Sequence, residues 1–169
     1  MKIYKNFLEK EQFNNLKNTL ESMSFPWYYT NGVTYTSNIE VPYAFKFSHY
    51  FYSQDRITSE HYNCLQPILA KLNYFSIIRI RANLSTRVPK IMLHEYHTDV
   101  TDQPKSLKMK TGIYYLNNTD GYTKFKNGKI VECEENTFVE FDSDLQHAGT
   151  FSSNSNRRIV INFNYIKLD

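Results

Sequence analysis

The segment His97-Thr98-Asp99 sets an imidazole and a carboxylate two residues apart, and His147 and Arg158 follow downstream. In extended backbone, residues i and i+2 project from one face, about 7 Å apart along the strand. A second imidazole from a distant strand can then complete a three-point face on one metal ion. Two imidazoles and one carboxylate, with the remaining coordination positions open, suit a non-heme Fe(II) that takes up a co-substrate and dioxygen together. An arginine beyond this set supplies a fixed cation for a dicarboxylate co-substrate. The chemistry expected of such a constellation is that of an oxygenase.

A lone His-x-Asp arises often by chance, so the context of the later residues matters. Residues 138–141 read as a strand that leads through Asp142-Ser143-Asp144 into Leu145-Gln146-His147, and Arg158 opens the last strand. The bland alternative is a surface hydrogen bond between His97 and Asp99, with His147 an ordinary loop histidine. Glu95, two residues before His97, is the substitute ligand if Asp99 points away. His94, at an offset of three, is expected on the opposite strand face. Asp142 and Asp144 fit as turn residues, and His49 and His61 as structural histidines. Arg157 and Arg158 must face opposite ways. One face of the last strand carries Arg157, Ile159, Ile161, Phe163 and Tyr165, and should pack against helices. The other carries Arg158, Val160, Asn162 and Asn164, and is suited to lining a site, which selects Arg158.

These residues need a rigid scaffold, and the pattern around them is one of strands. The first half offers two helices. Phe13, Leu16, Leu20 and Met23 recur at helical spacing ahead of Phe25-Pro26. Tyr62, Leu65, Leu69 and Leu72 do so over residues 59–72, with Ser59 as N-cap and a kink or break at Pro67. Strands are expected at 42–51, at Ile78-Arg79-Ile80-Arg81-Ala82-Asn83-Leu84 with its period of two, and at 110–117. Further strands are expected at 123–126 and 129–132 around an Asn127-Gly128 hairpin, at 138–141 and at 159–166. Short strands with frequent turns suggest a sandwich or barrel of antiparallel strands. The polar connections 101–108 and 152–156 flank the proposed site and are expected to be loose.

The bulk numbers agree with this picture. A chain of 169 residues suits one domain with a sizeable core. Aromatics make up 16% of it against only 5 Gly and 5 Pro, which favours pleated structure over disorder. Its net charge of +3 comes from scattered Lys and Arg, so nucleic acid is not the expected partner. Cys64 and Cys133 form no CxxC pair, and no apolar run is long enough for a leader or a membrane span. A soluble, cytoplasmic protein is expected.

Together, His97-Thr98-Asp99, Ile113-Tyr114-Tyr115-Leu116-Asn117, His147 and Arg158-Ile159-Val160-Ile161-Asn162-Phe163-Asn164-Tyr165 resemble the Fe(II)/2-oxoglutarate-dependent dioxygenases. The likeness is to their prolyl-4-hydroxylase-like branch and its small phage-encoded relatives, and it covers residues 77–166. The resemblance implies a mainly β fold, a double-stranded β-helix of jelly-roll or cupin type. Its sheets are antiparallel, and helices pack outside one of them. Residues 1–169 would form one domain, with 1–75 as support and 76–169 as the metal-binding core. It also implies Fe(II) held by His97, Asp99 and His147, with 2-oxoglutarate and dioxygen as co-substrates. Tyr115 matches a tyrosine that hydrogen-bonds the distal carboxylate of 2-oxoglutarate beside the Arg158 salt bridge. Its alternative is a core aromatic with a satisfied hydroxyl. Asn83 is a further candidate for that pocket. Collagen-type members carry a lysine at the position of Arg158, so a collagen-like substrate is not expected.

The activity implied is oxidative decarboxylation of 2-oxoglutarate to succinate, coupled to hydroxylation of a C–H bond. The substrate would be a peptidyl residue, proline foremost, or a small molecule. Two other readings compete: a nucleic-acid base oxygenase or demethylase, which needs a basic groove, and a non-catalytic jelly-roll module with a structural metal, which does not need Arg158.

Overall fold

A computed structural model of the chain describes residues 1–31, 45–99 and 108–168. In chain order the elements are β1 (Lys2–Tyr4), α1 (Lys10–Glu21), β2 (Tyr28–Asn31), β3 (Phe45–Ser53), β4 (Arg56–Ile57), a 3-10 helix (Glu60–Leu65) and α2 (Gln66–Leu69). Then follow β5 (Tyr74–Thr86), β6 (Met109–Tyr115), β7 (Tyr122–Phe125), β8 (Ile130–Glu132), β9 (Thr137–Asp142), β10 (His147–Gly149) and β11 (Arg157–Lys167). An eight-stranded major sheet runs β1-β9-β6-β11-β5-β3-β2, with β4 on β3, and a minor sheet runs β10-β7-β8. All pairings are antiparallel. Residues 42–44 of the expected third strand and residues 101–107 of the first polar connection lie outside the described residues.

The alternation along β11 organises the whole. Ile159, Ile161, Phe163 and Tyr165 are fully buried with Ile80 and Ala82 of β5, Tyr114 of β6, and Leu16 and Leu20 of α1. Each such side chain withdrawn from water contributes about 1.5–3 kcal/mol. Val160, on the opposite face, joins Ile113, Tyr115, Val139 and Phe141 of the major sheet to Phe125, Val131 and Cys133 on the minor-sheet side. Helices therefore cover one face of the major sheet and the minor sheet covers the other, the arrangement of a double-stranded β-helix. The face assignment read from Arg157 and Arg158 holds.

The helices differ in detail from expectation. α1 ends at Glu21, and Met23 lies beyond it, fully exposed. The Trp27 indole N–H donates to the Leu20 carbonyl at 3.2 Å and covers that helix end. In place of one helix over 59–72, a 3-10 helix gives way to the single turn of α2. Pro67 has no N–H to bond backwards, so it sits in the first turn of a new helix, where none is needed. Ser59 is the N-cap, its hydroxyl oxygen accepting from His61 N–H. The β7–β8 connection is longer than two residues. Gly128 N–H bonds Phe125 O, with Gly128 at φ 88°, which makes it a three-residue loop.

The N-terminal segment is tied to the sheet by Asn136, at φ 55°. Its Oδ1 accepts from Leu8 N–H (2.9 Å) and the Tyr114 hydroxyl (2.8 Å), and its Nδ2 donates to Leu8 O (2.9 Å). Asn136→Ala should cost about 3 kcal/mol in chemical denaturation, from unmet buried partners and the left-handed backbone. Asn136→Gly should recover about 1 kcal/mol of it.

His49 bridges two segments in its neutral form: Nδ1–H donates to Pro26 O (2.8 Å) and Nε2 accepts from the Ser59 hydroxyl (2.7 Å). Burial is the main force holding its pKa below the ordinary 6.5; the Pro26 carbonyl opposes that and His61 adds to it. A depressed histidine stabilises the fold fully above its ordinary value, and the contribution fades as pH falls through the lower folded value. The urea midpoint should therefore drop more steeply from about pH 7 to about pH 5 in wild type than in His49→Gln.

Candidate active site

The site forms where the strand-like segment 92–97 runs antiparallel to β10. His97 and His147 exchange both backbone hydrogen bonds, 3.0 Å each, so their side chains stand on one side with ring centroids 4.7 Å apart. Each Nδ1 faces the carbonyl of the residue two earlier, Glu95 at 3.2 Å and Leu145 at 3.1 Å, which leaves both Nε2 atoms pointing inward. Asp99 completes the set, with Oδ1 3.9 Å from His97 Nε2 and Oδ2 3.8 Å from His147 Nε2. One ligand atom from each of the three lies within 4.8 Å of the others. Three donors gathered this closely could hold one divalent cation, and the donor set is that of a facial site with open positions.

Asp99 is held from the major sheet. Arg79 of β5 donates through Nη2 to the Asp99 carbonyl (3.2 Å) and to Oδ1 (3.4 Å), and Asn164 of β11 donates to Oδ2 (3.3 Å). Arg79 Nε also donates to Asn164 Oδ1 (3.1 Å), which locks the pair together. Burial alone would raise the Asp99 pKa, but His147, Arg79, His97 and the Asn164 hydrogen bond outweigh it and hold the group ionised. At His147 burial prevails over the attraction of Asp99 and favours the neutral imidazole, the form a metal needs.

Arg158 lies 5% exposed on the site face of β11, its guanidinium 5.7 Å from the centre of the Tyr115 ring. Two glycines flank it, and Gly121 is the tighter of them. A Cβ at Gly121 would stand 2.8 Å from its Cδ, and one at Gly149 would stand 3.8 Å from its Nη1. Arg157 points outward to an ion pair with Glu21 of α1 at 2.8 Å. The Tyr115 hydroxyl donates to Thr123 Oγ1 (2.8 Å), so its ring supports Arg158 while its O–H is already engaged. Asn83 faces the same side of β5, and its Oδ1 is buried without a partner.

Among the described residues, five buried polar atoms on this side have no hydrogen-bond partner: Arg81 Nε, Asn83 Oδ1, His94 Nε2, Arg158 Nε and Asn162 Oδ1. Such atoms are rare in folded proteins. Their gathering here, around an unpaired guanidinium, fits a polar dicarboxylate such as 2-oxoglutarate.

Sequence reasoning missed three residues. His94 comes to the site side because residues 93–97 span four steps (97 − 93) against three for 147–150 (150 − 147), an added residue that turns the chain. Its imidazole sits beside Gly149 and edge-on to Phe151, its pKa pushed down to about 3 by burial and then by Arg158, Lys46 and His97. No periodicity signals such a bulge. Arg79 and Arg81 occupy the polar phase of β5, which looked solvated but is the site wall. Asp142 and Asp144 are exposed as expected, and Glu95 is exposed with only its carbonyl directed at His97. The 152–156 loop is tied to Asp120, which accepts from Ser153 N–H (2.9 Å), the Ser153 hydroxyl and Asn154 N–H (3.4 Å).

No protein-family model matches the chain, and no curated protein sequence does. Solved structures do. A viral collagen prolyl hydroxylase from Paramecium Bursaria Chlorella virus-1, in complex with 2-oxoglutarate, matches with a TM-score of 0.62 at 14% identity, over 99% of this chain and 96% of that one. A prolyl hydroxylase from Trichoplax adhaerens, bound to a hypoxia inducible factor peptide fragment, gives 0.63 at 15%, over 98% and 83%. A Pseudomonas putida prolyl-4-hydroxylase gives 0.57 at 12%, over 99% and 92%. The chain has the jelly-roll fold of the 2-oxoglutarate–Fe(II) oxygenases. Among the described residues no helix is long and apolar enough to cross a membrane.

Since Arg79 and Asn164 orient the Asp99 carboxylate from the major sheet, Arg79→Met and Asn164→Ala should each weaken divalent-metal affinity about 10–100-fold in competition titration. Thermal melting verifies that each variant still folds.

Proposed function

We propose that the chain is an Fe(II)- and 2-oxoglutarate-dependent oxygenase that hydroxylates a C–H bond of a peptidyl residue, proline foremost. One observation carries the reading: His97, Asp99 and His147 converge on a single point, with the Arg158 guanidinium, which has no carboxylate partner among the described residues, on the same wall. A structural metal has no use for that arginine. The solved structures of like fold add support, being described as prolyl hydroxylases, one with 2-oxoglutarate and one with a peptide.

In this reading His97, Asp99 and His147 hold the iron, and bound Fe(II) supplies dioxygen activation and the oxidation itself. The protein's part is binding and geometry. Arg158 takes the distal carboxylate, its position set by Tyr115 beneath and the two glycines beside it. Asn83 and the neutral imidazole of His94 offer polar contacts along the same wall. Arg79 and Asn164 keep the Asp99 carboxylate ionised and oriented. The apolar contacts of Phe125 and Phe141 with the His147 ring, at 6.1 and 4.8 Å, keep water from that side.

Mixing the protein anaerobically with Fe(II) and 2-oxoglutarate should give a weak visible charge-transfer band. Arg158→Ala should lose it at matched concentrations, and Arg157→Ala should keep it. A wild type without the band would defeat the co-substrate assignment.

A further inference from the structure

Two guanidinium groups on the site wall have no carboxylate partner among the described residues, Arg158 and Arg81. The proposed function uses the first and leaves the second without a task. Arg81 lies on β5 between Asn162 of β11 and Tyr50 of β3, two residues from the Arg79 that grips Asp99. Its Nη1 donates to the Tyr50 hydroxyl at 3.2 Å, and its guanidinium carbon stands 5.6 Å from the centre of that ring. Its Nε is buried and unpartnered. Lys46 of β3 shares this face: burial first, then the charges of Arg81 and Arg79 against the pull of Asp99, draws its pKa down to about 8. Asp99 is already committed to Arg79 and Asn164. Arg81 itself is half-buried with no carboxylate partner among the described residues, which is costly unless an anion meets it.

The place of this patch indicates which anion. No buried residue of the core between the two sheets comes from β3 or β5, so that core ends at β11 and the patch lies to one side of it. Beyond it, Tyr28 of β2 stands 62% exposed and pairs in register with Ser48, in the phase of Lys46 and Tyr50, whereas Tyr29 turns to the opposite face against Phe45 and Phe47. A guanidinium edge held on an aromatic ring matches a carboxylate with two parallel N–H donors, and an exposed tyrosine suits a side chain of a peptide. Nucleic acid would call for cations spaced along a groove, whereas these are gathered at one spot.

We propose that Arg81, supported by Tyr50 and neighboured by Lys46, binds a substrate carboxylate, and that the substrate is a peptide with an acidic side chain close to the oxidised residue. This rests on the oxygenase reading above and names its substrate class.

The test uses the full chain loaded with Fe(II) and 2-oxoglutarate. Peptide pools with a fixed proline flanked by Glu, Gln or Lys, other positions randomised, are compared by peptide-dependent succinate release, beside a single-stranded oligonucleotide. The Glu pool should exceed the Gln pool by about tenfold. Arg81→Gln should abolish that preference, Arg81→Lys should retain part of it, and Arg81→Glu should turn it toward the Lys pool. Equal response to the three pools, response to none, a Glu preference surviving Arg81→Glu, or dependence on the oligonucleotide would each overturn the proposal. So would loss of the 2-oxoglutarate band in Arg81→Gln with its melting temperature unchanged, since Arg81 would then serve the co-substrate. Wild type lacking that band altogether places the failure in the oxygenase reading instead.

Discussion

The backbone pairing of His97 with His147 is the contact on which the rest of the structure turns. Two hydrogen bonds between residues fifty positions apart in sequence (147 − 97) fasten an irregular segment to the minor sheet and bring two imidazoles side by side. Because the pairing is made by main chain, the rings inherit their placement from the ladder. The side chains need only choose which nitrogen faces inward, and the carbonyls of Glu95 and Leu145 make that choice.

The second constraint is the phase of the long strands. β5 and β11 pair over their whole lengths, so their polar phases merge into one wall bearing Arg79, Arg81, Asn83, Arg158, Asn162 and Asn164. Their apolar phases merge into the floor on which α1 rests. A one-residue slip would carry every one of these arginines into the hydrophobic core, where an unpaired charge is prohibitive. The chemistry of the wall thus guards the register, and the core packing guards the orientation of the wall.

Much of this was legible in the sequence, for definite reasons. The choice of Arg158 over Arg157 followed from period-two alternation in a strand buried on one face, and alternation is a property of the backbone alone. His97 and Asp99 followed from the same rule applied at i and i+2. What escaped notice depended on partners distant in sequence. Arg79 and Arg81 share a pattern with any solvated strand face, and only the segment packed over them makes that face a site. His94 was assigned to the wrong side because one additional residue in a pairing inverts the parity that such reasoning assumes. The break expected at Pro67 falls one residue earlier, at Gln66, and the apolar spacing over 59–72 survives the change from 3-10 to α geometry. Short β1, β4 and β10 exist only through their neighbours.

The grip of Arg79 and Asn164 on Asp99 carries a consequence for how this domain meets its cation. The acidic ligand already has counter-charge and hydrogen-bond donors from the protein, and the two imidazoles are pinned by main chain. Many small metal-dependent domains fold around their ion and collapse when it is withdrawn. Here the walls of the recess are held by backbone pairing and by the Arg79 and Asn164 contacts, so cohesion and loading are separate matters. On the oxygenase reading proposed above, iron scarcity in the surroundings would then silence the molecule without dismantling it, and resupply would restart it with no need to refold.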